Sequence, residues 1–145
     1  MSDPSNAPSG TKKYTYYPGC SSQGSATHLD QSLRAIAPKL GVELEEIDDW
    51  NCCGASVAHI EAGPLPTAAL SGRNLAQARK QGPQDVLTPC AACYLNTHGV
   101  NEKIKNDVRT RRRVNEALAA ADMVYDGDLN VRHAVEVMGN DVGLE

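Results

Sequence analysis

Phenylalanine is absent from this 145-residue chain, and tryptophan occurs once. A core without them must rest on Leu, Ile, Val and Ala. The apolar fraction, 41%, is ordinary for a soluble globular protein once glycine is set aside. No apolar run reaches the ~18 residues that a membrane helix needs, so direct membrane insertion is not expected. Residues 1–11 are rich in Ser, Pro and Gly and lack an apolar segment. They read as a disordered head and not as a signal peptide. There is no excess of positive charge. The formal net charge of −4 argues against a nucleic-acid partner. The run Arg111-Arg112-Arg113 reads as the solvated face of a helix, with a docking patch for a partner as the alternative. The length suits one domain with one core.

Cysteine is present five times, an odd number that leaves one thiol over in any set of disulfides. The pattern is Cys20, 31 residues, Cys52-Cys53, 36 residues, then Cys90-x-x-Cys93. This is metal-type spacing, and it fits a reducing cytoplasm better than a secreted disulfide scaffold. The vicinal pair in Trp50-Asn51-Cys52-Cys53-Gly54 is the most informative stretch. Adjacent residues suit a structural bridge poorly, because a vicinal disulfide closes a strained ring. Two adjacent thiolates do suit a polynuclear metal site, where one turn of backbone offers sulfur to more than one iron. Gly54 permits a sharp bend beside bulky sulfur, since it takes a positive φ easily.

The organisation of the chain supports a common site. Residues 12–17 read as a strand, with Tyr14 and Tyr16 on one face and Thr15 and Tyr17 on the other. A helix is expected over residues 24–40, with Ala26, Leu29, Leu33, Ile36, Ala37 and Leu40 as its apolar face, frayed at Pro38 and stopped at Gly41. Residues 42–47 alternate as a second strand. A short helix over 55–61 breaks at Gly63-Pro64. The next runs over 66–81, with proline at its start and Gly82 past its end. Residues 85–88 form a third strand. Helices follow over 90–106 and over 108–121, the latter capped by Asp107. After a turn at 126–130, a final helix is expected over 131–140, with Val131, Ala134, Val135 and Met138 as one apolar stripe. The order is α/β: a small, mostly parallel sheet flanked by helices, with a helical C-terminal tail. In such sheets the functional crevice lies outside the carboxyl ends of the strands. Cys20, Cys52-Cys53 and Cys90 each follow an expected strand, so three distant segments bring their thiols to one edge.

Those five thiols narrow the chemistry without closing it. Free buried cysteines would not explain three strand-end clusters. Structural zinc takes four ligands, its Cys₄ sites come mostly from two CxxC pairs, and five thiolates exceed that number. An iron–sulfur cluster is held by cysteine thiolates, and a fifth ligand points to an opened or noncubane form. Thiol exchange at Cys90-x-x-Cys93 leaves Cys20, Cys52 and Cys53 unexplained. Cys90 and Cys93 on the first turn of one helix, and Cys20 just before another, would meet partial positive charge and unpaired N–H groups. Asn51 and Ser56 are candidates to hydrogen-bond sulfur. Trp50 is expected to shield the site, and Tyr94 to pack near it. His28 and His59 are candidate proton donors, whereas His98 and His133 fall outside the clusters and His133 reads as structural.

The segments Tyr17-Pro18-Gly19-Cys20, Asn51-Cys52-Cys53-Gly54 and Pro89-Cys90-Ala91-Ala92-Cys93-Tyr94 resemble the CCG, or cysteine-rich, domain of heterodisulfide reductase B and its relatives. Those relatives include components of lactate- and glycerol-phosphate-oxidising complexes and of one class of succinate dehydrogenase. The similarity runs from about Tyr14 onward and is closest to the N-terminal half of heterodisulfide reductase B. All five cysteines fall on motif positions. The resemblance implies that Cys20, Cys52, Cys53, Cys90 and Cys93 bind a [4Fe–4S] cluster of the noncubane kind; on the residues alone, zinc stays the alternative metal. It implies an iron–sulfur module of a thiol–disulfide oxidoreductase that transfers electrons to a disulfide substrate or cleaves it. The alternative function is a structural zinc-binding docking module of an oxidoreductase complex. Residues 12–125 would form the cysteine-rich domain. Residues 126–145 would form a helical tail docking on a second CCG domain, since the family pattern is tandem and this chain has one motif set. Further expected partners are iron–sulfur or flavin subunits that donate electrons.

Overall fold

The computed structural model describes residues 10–59 and 63–143. Residues 1–9 of the expected head, and the last two residues of the short helix expected over 55–61, lie outside the described residues. Four strands form one sheet: β1 Lys12–Tyr16, β2 Val42–Glu46, β3 Val86–Thr88 and β4 Val131–His133. Their order is β2-β1-β3-β4, and every pairing is parallel. Tyr14 stands opposite Leu44, Thr15 opposite Val86, and Leu87 opposite Arg132.

Both faces of the sheet are covered, as a parallel sheet requires. The alternation along residues 12–17 is what divides them. Tyr14 and Tyr16 point into a cluster with Leu33, Val42, Leu87 and Val137, whereas Tyr17 joins Ile47, Leu75, Val86 and Ile104 on the other side. The first cluster is roofed by α1 Thr27–Ile36 and α5 Ala134–Val137. The second is roofed by α2 Leu65–Gln81, α3 Ala91–Asn106 and α4 Val108–Leu118. Helix α2 has Pro66 in its first turn and Gly82 just past its end. The Asp107 side chain accepts the amides of Arg109 and Thr110 at 3.0 and 3.3 Å and caps α4. Arg112 and Arg113 are exposed, and Arg112 pairs with Glu116 one turn on at 3.4 Å, as a solvated helix face would.

The structure departs from expectation in three places. First, the helix expected over 24–40 is shorter, because α1 gives way to a 3-10 turn at Ala37–Leu40. Pro38 has no N–H to continue the ladder. Of the apolar face assigned to it, Leu33 and Ala37 are buried, but Leu29 and Ile36 remain nearly half exposed. Second, residues 131–133 are not helical. They form β4, and α5 starts only at Ala134, capped by His133, whose Nδ1 accepts the Val135 amide at 3.2 Å. The free edge of β3 offers three backbone partners, and pairing with it buries Val131, while Val135 of the expected stripe stays 72% exposed. Third, the missing phenylalanine is replaced by tyrosine. Tyr14, Tyr16, Tyr17 and Tyr125 are all buried, each with its hydroxyl satisfied.

Two polar networks tie the C-terminal third to the sheet. Tyr125 donates to Asn101 Oδ1 at 2.6 Å, its oxygen accepts the Leu129 amide, and Asn101 donates to the Leu129 carbonyl at 2.8 Å. Fully satisfied and buried, this network fixes the segment that leads into β4. Further on, Arg132 grips Asp141 with two hydrogen bonds of 2.8 Å, and Tyr14 donates to the same carboxylate. The Arg132 guanidinium, aided by Tyr14, holds the Asp141 carboxyl at about 2, below the ordinary 3.8. A carboxyl lowered in the folded state stabilises the fold above its unfolded pKa and loses that contribution as pH falls through its folded one. Asp141→Asn should therefore cost about 2 kcal/mol at neutral pH in urea denaturation. That difference from the unchanged protein should shrink as pH falls from about 4 toward about 2.

Candidate metal centre

Three parallel strands end at the same edge, and each delivers cysteine there. The chain leaves β1 through Tyr17-Pro18-Gly19 and places Cys20 at the head of a 3-10 turn, Cys20–Gln23. The loop after β2 carries Cys52 and Cys53. The turn after β3 carries Cys90 as the N-cap of α3, with Cys93 in the first turn. The Cys52 thiol lies 3.8 Å from Cys20 Sγ and hydrogen-bonds it. Cys93 and Cys52 perturb the ionisation of Cys53, and Cys53 and Cys90 that of Cys93, so these thiols are near neighbours. The five cysteines thus gather at one edge of the sheet. Cys20 is exposed, Cys52 and Cys90 are half-buried, and Cys53 and Cys93 are buried.

Two glycines make room for this. Gly19 has φ 80° and ψ 158°, a region closed to other residues, and a Cβ there would stand 2.8 Å from Cys93 Sγ. Gly54 has φ 89°, and a Cβ there would press at 3.2 Å on Thr67 and Leu70 of α2.

Helix α2 grips the vicinal-cysteine loop along its length. Asn74 accepts the Asn51 amide at 2.8 Å and donates to the Asn51 carbonyl at 2.7 Å. Arg73 donates to the Asn51 side chain and to the Asp49 carbonyl. Ser71 donates to the Cys53 carbonyl at 2.8 Å, and Asn96 of α3 donates to the same oxygen. Two amides of the loop point at sulfur: Gly54 N–H at Cys52 (3.5 Å) and Ala55 N–H at Cys53 (3.4 Å). Ser71, Arg73, Asn74 and Asn96 belong to no cysteine motif, and the sequence does not announce their role. The available signal is the spacing of Thr67, Ser71, Asn74 and Ala78, a helix face that is buried yet largely polar.

The thiols perturb one another. Cys93, with the Ala55 amide also contributing, lowers the Cys53 thiol despite its burial. Cys93 is raised far above the ordinary thiol value, first by Cys53 and then by burial. Cys20 is raised by burial and by Cys52. Burial also raises the Tyr17 hydroxyl, with the nearby cysteines adding to it. That hydroxyl donates to the Asn51 carbonyl at 2.8 Å.

The other candidates fall into place unevenly. Trp50 covers Tyr17 edge-on at 5.6 Å, anchors its indole N–H on Glu46 and packs against the cluster that includes Cys53 and Cys93. Ser56 Oγ lies 3.9 Å from Cys52 Sγ. The Asn51 side chain does not reach sulfur, because it bonds the Cys52 and Leu70 carbonyls instead. His28 and His59 are exposed, and neither hydrogen-bonds a cysteine. Tyr94, next to Cys93, stacks on His98 at 5.2 Å and meets His133 edge-on at 5.7 Å, a grouping of three rings invisible in the sequence.

Among the described residues, no three His, Cys, Asp or Glu side chains stand ready-arranged around a single ion. The donor set is five soft sulfurs with backbone N–H groups aimed at two of them, which suits a sulfide-containing cluster better than one tetrahedral ion. Gly19 leaves free the space beside Cys93 that a side chain would fill. Replacing Gly19 with Ala should destabilise the metal-free protein by about 1–3 kcal/mol from backbone strain alone. Denaturant unfolding under reducing conditions checks this.

Known proteins are similar to this chain. The family model for the CCG cysteine-rich domain matches residues 14–98. A membrane anchor subunit of the 8-methylmenaquinol:fumarate reductase of Wolinella succinogenes is 36% identical over 131 residues, 90% of this chain and 45% of that one. A heterodisulfide reductase B-like protein of Archaeoglobus profundus is 32% identical over 92% of this chain and 44% of that one. The B component of a ferredoxin/F(420)H(2)-dependent CoB-CoM heterodisulfide reductase of Methanosarcina acetivorans is 26% identical over the same shares. The chain therefore spans less than half the length of the curated relatives it matches. A crystal structure of a hypothetical protein from Helicobacter pylori superimposes with a TM-score of 0.69 over 92% of this chain and 26% of that one, at 20% identity, and so shares the fold. With its three strand-end motifs and its matched span, the chain belongs to the CCG cysteine-rich domain family.

Proposed function

We propose that this chain is the iron–sulfur module of a heterodisulfide reductase-type thiol–disulfide oxidoreductase, with Cys20, Cys52, Cys53, Cys90 and Cys93 as the ligands of a noncubane [4Fe–4S] cluster. The observation that carries this reading is the gathering of all five cysteines at the carboxyl edge of the sheet, with Cys20 and Cys52 sulfurs 3.8 Å apart and Cys53, Cys90 and Cys93 near enough to perturb one another. When bound, such a cluster supplies single electrons and an iron that takes a sulfur ligand.

The chain's own residues do the rest. Exposed Cys20 faces the side from which a substrate sulfur can approach. Cys53 and Cys93 close the inner side, where α2 and α3 exclude water. Thiol protons leave on ligation, so uptake of metal is pH-dependent. Reducing a disulfide to two thiols takes two electrons and two protons. One such module is half of that provision, so a second CCG domain and an electron-donating iron–sulfur or flavin subunit are the proposed partners. Relatives named as parts of reductases support this. Among the described residues no helix is long and apolar enough to cross a membrane. The metal-type spacing of the five cysteines supports a cytoplasmic site of action.

Relay of electrons without disulfide cleavage is the second reading, favoured by the 36% identity to a fumarate reductase subunit. Anaerobic reconstitution should yield about four iron and four sulfide per chain, with Cys53→Ser abolishing uptake. One bound zinc, no sulfide and a silent Cys53→Ser would instead establish the docking-module alternative. Transfer of reducing equivalents from the loaded protein to a disulfide, compared with transfer to a dye acceptor, separates cleavage from relay.

A further inference from the structure

We propose that Ser71 and Asn96 are positioning residues: by clamping the Cys53 carbonyl they aim the Gly54 amide at Cys52 sulfur and thereby set how readily the site accepts an electron. The effect on electron uptake rests on the iron–sulfur reading above, whereas the aiming of the amide does not.

The peptide between Cys53 and Gly54 is planar and trans, so its C=O and N–H point in opposite directions. Fixing one end fixes the other. Its oxygen receives two donors from two different helices, Ser71 of α2 at 2.8 Å and Asn96 of α3 at 2.5 Å. Asn96 also donates to Ser71 Oγ at 3.1 Å, so the two donors hold each other in place. Ser71 is completely buried, and a polar group there needs such a partner. At the far end of the same peptide, the Gly54 N–H faces Cys52 Sγ at 3.5 Å, and the next amide, Ala55, faces Cys53 Sγ at 3.4 Å.

A helix N-terminus does not supply these donors, since Gly54 sits at φ 89° ahead of only a three-residue 3-10 turn. Within the loop the Val57 amide holds the Gly54 carbonyl at 3.0 Å, but the carbonyl of the preceding peptide, that of Cys53, is held from the two helices. The side chain of Gly54 is a hydrogen, and the peptide could rotate if its oxygen were free. The clamp is what removes that freedom. An N–H aimed at a ligand sulfur stabilises the more negatively charged, reduced state of a thiolate-bound centre. Removing the clamp therefore lowers the reduction potential, moving it to more negative values.

The test uses Ser71→Ala, Asn96→Ala and the double variant. Each single variant keeps one donor on the carbonyl, so the fold persists, as circular dichroism would show. In the reduced, metal-free chain, Gly54 amide hydrogen exchange should quicken a few-fold in each single variant and tenfold or more in the double, with the amides of β1 and β3 unchanged. Ser71→Thr, which keeps the hydroxyl, should restore the slow exchange. In the reconstituted protein the midpoint potential should move negative in the order wild type, single, double. Gly54 exchange that is unchanged in both single variants overturns the clamp. Altered exchange with an unaltered potential overturns its effect on electron uptake. A wild-type chain that takes up no iron defeats the functional reading instead, and the amide measurement still decides the clamp.

Discussion

Parallel pairing of β1 with both β2 and β3 is the constraint on which the site depends. Strands that run the same way finish at the same edge, and the turn leaving each one is a natural place for a functional side chain. Cys20 is separated from Cys90 by 69 intervening residues, yet both sit one turn beyond adjacent strands. Had β2 or β3 paired antiparallel, its cysteines would stand at the opposite end of the sheet. The buried alternation of Tyr14, Thr15, Tyr16 and Tyr17 enforces the direction and register of the central strand. The site is thus secured by residues that carry no redox chemistry.

A second layer of control comes from α2. Ser71, Arg73 and Asn74 each reach across to the backbone between Asp49 and Cys53. A loop with two cysteines and a glycine in the left-handed region has little order of its own. Its shape is imposed from outside, by a helix that belongs to the core. This explains the polar residues on a buried helix face. They form the socket in which the cysteine loop sits, and they would be errors in a helix that only packed.

Legibility in the sequence differs from element to element. The first three strands, α2 and the Asp107 cap are legible because each has a strong local cause: alternation, proline and glycine at the ends, or a side chain that accepts amide N–H groups. The convergence of the cysteines is legible because it follows from strand order alone. The fourth strand is not, since Val131-Arg132-His133 has three residues and joins the sheet only because β3 has a free edge. Local periodicity carries no record of that edge. The same limit hides Asn96, whose partner carbonyl is 43 positions away in sequence. It also hides the grouping of Tyr94 with His98 and His133. The depth at which the tyrosines lie is concealed for another reason. Their hydroxyls find Asp141, Asp30, Asn51 and Asn101, and only the assembled fold brings those acceptors within reach.

The graded exposure of the five sulfurs has its own consequence. Cys20 meets solvent, whereas Cys53 and Cys93 lie under the helices. Anything held by all five has a wet rim and a dry floor. Water and counter-ions can respond to a change of charge at the rim, but the floor has only fixed dipoles to answer with. Charge brought to such a group would be accommodated unevenly, with Cys20 the sulfur most open to the outside.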